Sequence, residues 1–297
     1  MMASVSDGLA YAVDVVERRI PTCLLTQMAC QRHLDDLEHA NQRGFYFDPD
    51  EAQLVLDFFS ILKHSKGEWA GQTLQLEPWQ TFIISSVFGW RRESDGMRRF
   101  RTVYEEVARK NGKSTKLAGI GIYGLVADGE NGAEIYTAAT KRDQAKIIFD
   151  EAVRMVKKSP DLAALLTIYK NSLSFEENFS TFQPLNAEGD TMDGMNVHYG
   201  LVDEIHAHKT DAVWNVLETA TGARQQPLMW TITTAGFNQL GIGYDLRTYA
   251  VQILKGLVQD DTFFTQIYTI DTQADHPDLP ADDPIDDPVC WQKANPN

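Results

Sequence analysis

The first part of the chain, up to about residue 67, has apolar residues at the three- and four-residue spacing of amphipathic helices. This spacing predicts helices over residues 11–19, 22–41 and 50–63. Asp48 followed by Pro49 is typical of a helix start, because the N–H that proline lacks has no partner inside the first turn. We therefore expect an N-terminal helical region over residues 1–67.

Beyond residue 99 the pattern changes, and short β-rich runs alternate with helical ones. Strands are predicted over residues 101–107, 133–139, 197–202, 228–234 and 263–270, and helices over 114–128, 141–158, 210–220 and 242–255. Such alternation favours a mostly parallel sheet covered by helices on both faces. The predicted fold class is therefore α/β, with the sheet in a domain over residues 68–270.

The last segment, residues 271–297, is rich in Asp and Pro. Residues 271–288 hold seven Asp and neither Lys nor Arg. Prolines spaced among acidic residues are typical of an extended, solvated linker, and we prefer this interpretation to a metal site. Trp291 fits poorly in a free tail. Together these features suggest that the natural protein continues into another domain.

Composition narrows the class of protein. The 297 residues include 43% hydrophobic and 23% charged ones, which excludes a disordered or fibrous chain. A run of about 18 apolar residues is missing, so we expect no membrane span. The N-terminus does not resemble a signal peptide, and Cys23, Cys30 and Cys290 follow neither disulfide nor metal spacing, which indicates reduced thiols in the cytosol.

The formal net charge is −15, of which the seven Asp of residues 271–288 account for almost half. Without them the chain is only moderately acidic. Composition alone therefore gives no indication of nucleic-acid binding.

The strongest chemical motif is Val-Ala-Arg-Lys-Asn-Gly-Lys-Ser-Thr at residues 107–115, between a predicted strand and a predicted helix. Its Gly-Lys-Ser ending is typical of a loop that binds nucleotide phosphates. Gly112 lets the backbone approach the phosphates, Lys113 places a cation against them, and Ser114 offers a hydroxyl to Mg²⁺. Val107 stands where the usual pattern has its first Gly. The predicted nucleotide-binding set also includes Arg109, Lys110, Asn111 and Thr115.

The second motif is an apolar strand that ends in Asp203 and Glu204. Such a strand is the usual partner of a phosphate loop. Asp203 would hold Mg²⁺, and Glu204 would orient and deprotonate the attacking water. The alternative is a strand that runs into a helix start, where acidic residues are favoured anyway.

Two weaker motifs fit the same site. Trp79 and Gln80 precede the loop, where an indole can stack on adenine and an amide can read its edge, although a buried Trp beside a helix start is the alternative. Thr233 and Thr234 end a predicted strand where hydroxyls could sense the γ-phosphate, although the run also fits a β-branched strand that stops at a Gly.

In their order, these motifs resemble the ATPase portion of the large terminase subunits of tailed bacteriophages and prophages. The matching segments are residues 78–80, 108–114, 201–204 and 233–236, and residues 30–37 and 291–297 also look like family segments. The resemblance therefore covers nearly the whole chain. In this family the first Gly of the loop is usually missing and the loop carries an arginine, here Arg109.

The resemblance implies a P-loop nucleoside triphosphatase of the ASCE, RecA-like type that uses ATP and Mg²⁺ to thread double-stranded DNA into an empty capsid. It also implies a small terminase subunit and a portal protein or procapsid as partners, self-association into a ring, no membrane, and the cytoplasm of the bacterial host. In whole large terminases a nuclease domain follows the ATPase. We expect no nuclease activity from these residues, and cleavage that needs Asp282 and Asp283 would contradict this.

Motif by motif, the resemblance assigns roles to single residues. Glu204 matches the catalytic base, Ser114 and Asp203 the metal positions, and Lys113 the phosphate position. The remaining matches are Trp79 and Gln80 with the adenine-side motif, and Thr233 and Thr234 with the coupling motif. Arg109 matches a loop arginine that stabilises transition-state charge. An arginine supplied to a neighbouring subunit, such as Arg224, stays open as an alternative.

Other charged residues permit two interpretations. Arginines cluster around the Ser94-Asp95-Gly96 turn, and they fit either a DNA-backbone or subunit contact or a solvated hairpin; they are Arg91, Arg92, Arg98, Arg99 and Arg101. Lys141 and Arg142 start a predicted helix at the edge where a DNA-engaging loop is plausible. His206 and His208 lack zinc spacing, and we expect structural roles for them.

Two other functions compete with a packaging ATPase. Asp-Glu-Ile-His at residues 203–206 spells a helicase motif, but helicases of that type need a second motor domain, and only 61 residues follow Gly236. A degenerate nucleotide-binding module with a structural or assembly role is the other alternative, and the presence of both Lys113 and Glu204 argues against it.

Overall fold

An eight-stranded sheet forms the centre of the computed structural model, which describes residues 2–139, 142–185, 194–208, 210–236 and 241–297. The strands of this sheet are β3 (Thr102–Glu106), β4 (Glu134–Ala138), β5 (Thr167–Ile168), β6 (Leu173–Phe175), β7 (Ser180–Pro184), β8 (Val197–Asp203), β9 (Leu228–Thr233) and β10 (Phe263–Ile267). Their order across the sheet is β10-β3-β9-β8-β4-β7-β6-β5. Two further strands, β1 (Phe45–Phe47) and β2 (Trp90–Arg92), form a separate antiparallel pair.

The first six strands in that order run parallel, and only β5 and β6 are antiparallel additions at one edge. The predicted mostly parallel α/β sheet is therefore confirmed. Strand β9 lies between β3 and β8, so the phosphate-loop strand and the Asp-Glu strand are one strand apart. This order is that of an ASCE, RecA-like P-loop fold. In parallel sheets, the crevice beyond the carboxyl ends of the strands is where ligands bind.

Alternation along each strand fills a separate core on each face of the sheet. On β3, Val103 belongs to one hydrophobic cluster and Tyr104 to the other. On β9, Trp230 and Met229 divide in the same way. Both faces are thus buried, as expected when helices cover a parallel sheet on two sides.

The helices of the described residues are α1 (Val5–Val16), α2 (Leu24–His39), α3 (Pro49–Ile61), α4 (Pro78–Gly89), α5 (Lys113–Val126), α6 (Arg142–Lys158), α7 (Pro160–Leu165), α8 (Ala212–Thr219), α9 (Ile242–Leu254) and α10 (Pro288–Ala294). Most agree with the predicted helices to within a few residues. Helix α1 starts six residues earlier than predicted, because Ser4 and Asp7 form a capping box at its N-terminus.

Helix α4 is absent from the prediction, since it lacks an amphipathic pattern. Every residue from Trp79 to Gly89 is buried. It packs against both α1 and α3, which places it inside the helical layer. A helix that is enclosed on all sides has no polar face, so hydrophobic periodicity cannot reveal it.

The C-terminal segment is not the extended, solvated linker that the sequence suggested. Lys293, on α10, forms ion pairs with Asp271 at 2.8 Å and Asp283 at 2.7 Å. Asp275 binds Arg247 of α9 through two bonds of 2.8 Å each. Lys293 thus folds the segment onto itself, and the pair between Asp275 and Arg247 ties it to the body of the protein.

A search of the described helices for a membrane span finds none with the length and apolar character that crossing a bilayer requires.

Candidate functional site

The phosphate loop connects β3 to α5, and two of its residues, a glycine and a lysine, have a left-handed backbone conformation. Lys110 and Gly112 both have φ of +69°. The Asn111 side chain, only 2% exposed, donates hydrogen bonds to the backbone oxygens of Ala108 at 3.0 Å and Arg109 at 3.3 Å. The loop is thus fixed by its own side chain, and it leads into the N-terminus of α5, whose first N–H groups have no partner within the helix and suit an anion.

Glu204 follows the last residue of β8 and adopts a left-handed conformation with φ of +50°. Its N–H donates to the oxygen of Ile232 on β9 at 2.9 Å. Non-glycine residues in this region store strain and often lie at functional sites. The strained conformation directs the Glu204 carboxylate toward the loop instead of along the strand.

Lys113 and Glu204 meet at this edge of the sheet, although 91 positions separate them. The ammonium nitrogen of Lys113 lies 3.5 Å from Oε1 of Glu204 and 3.3 Å from the oxygen of Val107. The two motifs that the sequence predicted to act as partners therefore lie next to each other in the structure. This proximity results from the strand order, since β3 and β8 are separated only by β9.

The end of β9 contributes two hydroxyls to the same cluster. Thr234 donates to Oε2 of Glu204 through its hydroxyl at 3.1 Å and its N–H at 3.4 Å. The Thr233 hydroxyl oxygen lies 2.6 Å from Nδ1 of His206. Both predicted threonines therefore lie at the site, one directly on the acid and one through a histidine.

Asp203 has a buried carboxylate oxygen whose chemistry fits a metal ion. Its Oδ1 is buried and has no hydrogen-bond partner among the described residues. Burial, together with the neighbouring Glu204 carboxylate, raises the pKa of Asp203 to about 6, and Lys113 lowers it only in part. A carboxylate oxygen without a partner fits a hard cation such as Mg²⁺. Ser114, in the first turn of α5, is the half-buried hydroxyl that the loop offers to the same ion.

Replacing Asp203 with Asn should stabilise the ligand-free protein at neutral pH. The pKa of the Asp203 carboxyl is 3.8 in the unfolded chain and about 6 in the folded protein. Because the folded protein holds this proton more tightly, the stability of the wild type falls as pH rises between these two values. We expect the variant to gain about 2 kcal/mol at pH 8 without magnesium, and to lose this advantage near pH 4. Urea unfolding at both pH values measures it. Asp150→Asn, on an exposed helix position, is the control, and equal stability of variant and wild type at pH 8 would refute the prediction.

The arginine candidates occupy very different positions. Arg109 is exposed in the loop between β3 and α5. Arg224 is held at the opposite edge of the sheet, where it binds Glu130 at 3.2 Å and the oxygen of Asn196 at 2.9 Å. Its side chain is 7% exposed. The donors of Arg224 already have partners within the chain, which favours Arg109 over Arg224 as the catalytic arginine.

Trp79 is not positioned to stack on adenine, which corrects the sequence interpretation. The residue is 1% exposed, its ring lies edge-on to Tyr268, and the ammonium of Lys116 sits 4.8 Å from its centroid. Its N–H donates to Asn297 at 2.7 Å. The alternative interpretation, a tryptophan buried in the core, is therefore the one that the structure supports for Trp79.

Gln80 does reach the phosphate loop. Its Oε1 accepts the N–H of Glu77 at 3.1 Å, as part of a helix cap, and its Nε2 lies 3.5 Å from the oxygen of Asn111. The side chain is 8% exposed. Gln80 therefore packs against the phosphate loop and helps to hold it in place. A contact between Gln80 and adenine stays a prediction.

The arginine cluster near residue 95 is neither a DNA contact nor a solvated hairpin at its two central positions. Arg98 and Arg99 are both fully buried. Arg98 binds Asp128 at 3.0 Å, and Arg99 binds Asp36 at 2.7 Å. These guanidiniums neutralise buried acids. The predicted DNA-engaging Lys141, and the side chain of Arg142, lie outside the described residues.

His206 is the site residue whose role the sequence analysis understated. It was expected to be structural, yet its Nδ1 lies 3.1 Å from Oε2 of Glu204. Its position two residues after Glu204 is a signal that the sequence did contain. What the sequence could not show is that the short 3₁₀ turn Ile205–Ala207 folds the imidazole back onto the acid.

Comparisons with known proteins agree with this geometry. The family model described as terminase large subunit, ATPase domain, matches residues 78–252. Protein YmfN of Escherichia coli K12 is 45% identical over 105 residues, which are 35% of this chain and 21% of that protein. The large terminase subunit of Enterobacteria phage HK97 is 30% identical over 180 residues, 58% of this chain and 34% of that protein.

A solved structure extends the similarity to the fold. The crystal structure of the HK97 bacteriophage large terminase matches with a TM-score of 0.67 and 25% identity, over 82% of this chain and 47% of that one. The regions of similarity thus span less than half the length of each of these relatives. The family-model range includes the phosphate loop, Asp203 and Glu204, and Thr233 and Thr234.

Proposed function

We propose that this chain, which belongs to the family of terminase large-subunit ATPase domains, hydrolyses ATP in order to move double-stranded DNA into a procapsid. The observation that carries the proposal is the meeting of Lys113 and Glu204, 3.5 Å apart, beside an Asp203 oxygen that lacks a partner. A cation for phosphates, an acid for water and a ligand for a metal are the three groups that phosphoryl transfer requires.

The chemistry follows from the position of each side chain. Lys113 exchanges its contact with Glu204 for the β- and γ-phosphates when nucleotide binds. Glu204 then accepts a proton from the attacking water. The exposed Arg109 stabilises charge that develops in the transition state. Ser114 and Asp203 would hold Mg²⁺, which neutralises phosphate charge when it is bound.

The surrounding loop residues bind and support the nucleotide. Those at the loop and the start of α5 are Lys110, Asn111, Gly112 and Thr115, and Gln80 lies beneath them. Thr233 and Thr234, at the end of β9, link the acid to the segment that leads into α9. These hydroxyls are in a position to transmit the state of the nucleotide to the rest of the motor.

The partners are part of the same proposal. Double-stranded DNA, a small terminase subunit, a portal protein or procapsid, and further copies of the chain in a ring complete the machine in the host cytoplasm. Residues 1–67 serve as a helical region packed on the motor, residues 68–270 as the motor, and residues 271–297 as the connection toward a nuclease domain. The proposal predicts ATP hydrolysis that double-stranded DNA stimulates, measured as phosphate release with and without a linear duplex.

Lys113→Ala should weaken the binding of ATP about 10- to 100-fold, because a charge-assisted hydrogen bond contributes about 1.5–3 kcal/mol. Titration with a fluorescent ATP analogue measures the affinity. Lys170→Ala, at an exposed position away from the site, is the matched control and should bind as the wild type does. Unchanged affinity in Lys113→Ala would exclude this loop as the phosphate site.

A further inference from the structure

His206 links the two elements that the proposed function must coordinate. The imidazole Nδ1 is 3.1 Å from the Glu204 carboxylate on one side and 2.6 Å from the Thr233 hydroxyl oxygen on the other. One ring nitrogen therefore connects the acid that follows β8 to the last residue of β9.

The hydrogen-bond network fixes the tautomer of this ring. The Thr233 hydroxyl donates its proton to the oxygen of Thr234 at 3.1 Å, so its oxygen accepts from His206. An ionised carboxylate can only accept. Nδ1 of His206 therefore carries the proton and donates it to Thr233, and the Glu204 carboxylate lies 3.1 Å from the same N–H group.

Two glycines enclose the histidine turn. A Cβ atom at Gly236 would lie 2.6 Å from Cβ of His206, and one at Gly243 would lie 2.7 Å from its Cα. Gly236 follows β9, and Gly243 lies in the first turn of α9. Gly236 and the start of α9 thus pack directly on His206, which leaves the ring little freedom to turn away.

The Glu204 carboxylate needs such an anchor. Its Oε1 contacts only Lys113 among the described residues, at 3.5 Å, whereas Oε2 is near Thr234 and His206. When Lys113 moves to the phosphates, the contacts on Oε2 are those that keep the carboxylate in place. A displacement of about 1 Å in a catalytic group can reduce a rate about 100-fold.

We infer that His206 is a positioning residue, which holds the Glu204 carboxylate through Nδ1–H and ties its orientation to Thr233 at the end of β9. This inference rests on the proposed ATPase function. It predicts that movement of the end of β9 changes the rate of hydrolysis through this ring, while the affinity for ATP stays the same.

His206→Phe keeps the ring volume and removes the hydrogen bonds. We expect kcat to fall about 10- to 100-fold, with KM and the affinity for the ATP analogue unchanged. His206→Asn places an amide N–H near the position of Nδ1 and should restore kcat to within about threefold of the wild type. His39→Phe, at an exposed histidine whose side chain is 64% exposed, is the matched control.

A second readout does not depend on turnover. In the ligand-free protein with ¹⁵N-labelled histidine, the Nδ1 resonance of His206, identified by its loss in His206→Phe, should shift in both Thr233→Val and Glu204→Gln. In addition, His206→Phe combined with Glu204→Gln should be no slower than Glu204→Gln alone, since both changes act on one carboxylate.

The outcomes separate the inference from the function on which it rests. A wild-type chain that does not hydrolyse ATP overturns the proposed function and this inference with it. If the wild type is active, a His206→Phe variant with normal kcat, or one with a raised KM alone, overturns this inference only. A His206→Asn variant as slow as His206→Phe, or an Nδ1 resonance that both neighbouring substitutions leave in place, overturns it as well.

Discussion

Glu204→Gln is expected to bind ATP as tightly as the wild type and to hydrolyse it about 10²- to 10⁴-fold more slowly, which is the usual contribution of a general base. The amide keeps the size of the side chain and can still accept from the Thr234 hydroxyl, now 3.1 Å from Oε2. It cannot accept a proton from water. Steady-state phosphate release gives the rate, and titration with the ATP analogue gives the affinity.

The matched control is Glu218→Gln, which changes an exposed acid on α8 in the same way. It should hydrolyse ATP at the wild-type rate. If Glu204→Gln also turned over at that rate, Glu204 would not be the base. A loss of ATP binding in Glu204→Gln would instead indicate that its contact with Lys113 organises the loop.

Arg98→Met should reduce the free energy of unfolding by about 3–5 kcal/mol, which is the usual effect of removing one partner of a buried ion pair. Arg98 is fully buried, and its guanidinium contacts Asp128 at 3.0 Å and the Tyr199 hydroxyl at 3.2 Å. Without it, the Asp128 carboxylate stays buried beside His198, 2.8 Å away, as its remaining partner. Urea unfolding monitored by tryptophan fluorescence measures the change.

Arg19→Met is the control, because Arg19 forms ion pairs on the surface with its side chain 55% exposed. Surface pairs contribute about 0–1 kcal/mol, so this variant should remain close to the wild type. If Arg98→Met reduced the free energy of unfolding as little as Arg19→Met does, the buried Asp128 carboxylate would not need Arg98 to neutralise it. Asp128→Asn combined with Arg98→Met should recover part of the loss, since the uncompensated carboxylate is then gone.

Acid should weaken the same pair. Burial raises the pKa of Asp128, but Arg98 and the hydrogen bond from His198 outweigh it, and the net pKa lies below the ordinary value of 3.8. A carboxylate whose pKa is lower in the folded protein than in the unfolded chain stabilises the fold at pH values above its unfolded pKa. This stabilisation disappears as pH falls through the folded pKa. The stability difference between wild type and Asp128→Asn should therefore narrow below pH 3.8.

The sequence predicted the longer strands of the central sheet and the helices that follow them. Helices α5 and α9, and strands β8 and β9, lie within a few residues of their predicted bounds. Helix α4 has the same surroundings on every side, and the short strands β5 and β6 belong to an edge hairpin of a few residues. Neither kind of element produces a period that a sequence window can detect.

Single charged residues were harder to interpret than elements. Arg98 and Arg99 look like surface residues in the sequence, because nothing near them reveals the acids that they neutralise. Their partners, Asp128 and Asp36, are 30 and 63 positions away. The acidic C-terminal segment was misinterpreted for the same reason at Asp275, since its partner Arg247 is 28 positions away.

The sequence by itself determined the α/β class, the phosphate loop at Lys113 and the strand that ends in Asp203 and Glu204. These are local properties, because a motif and its flanking pattern lie within about ten residues. Only the tertiary structure decided that Trp79 is buried and that His206 turns back onto Glu204. Such facts depend on which strands are neighbours and how closely elements pack, and the local pattern of residues does not contain that information.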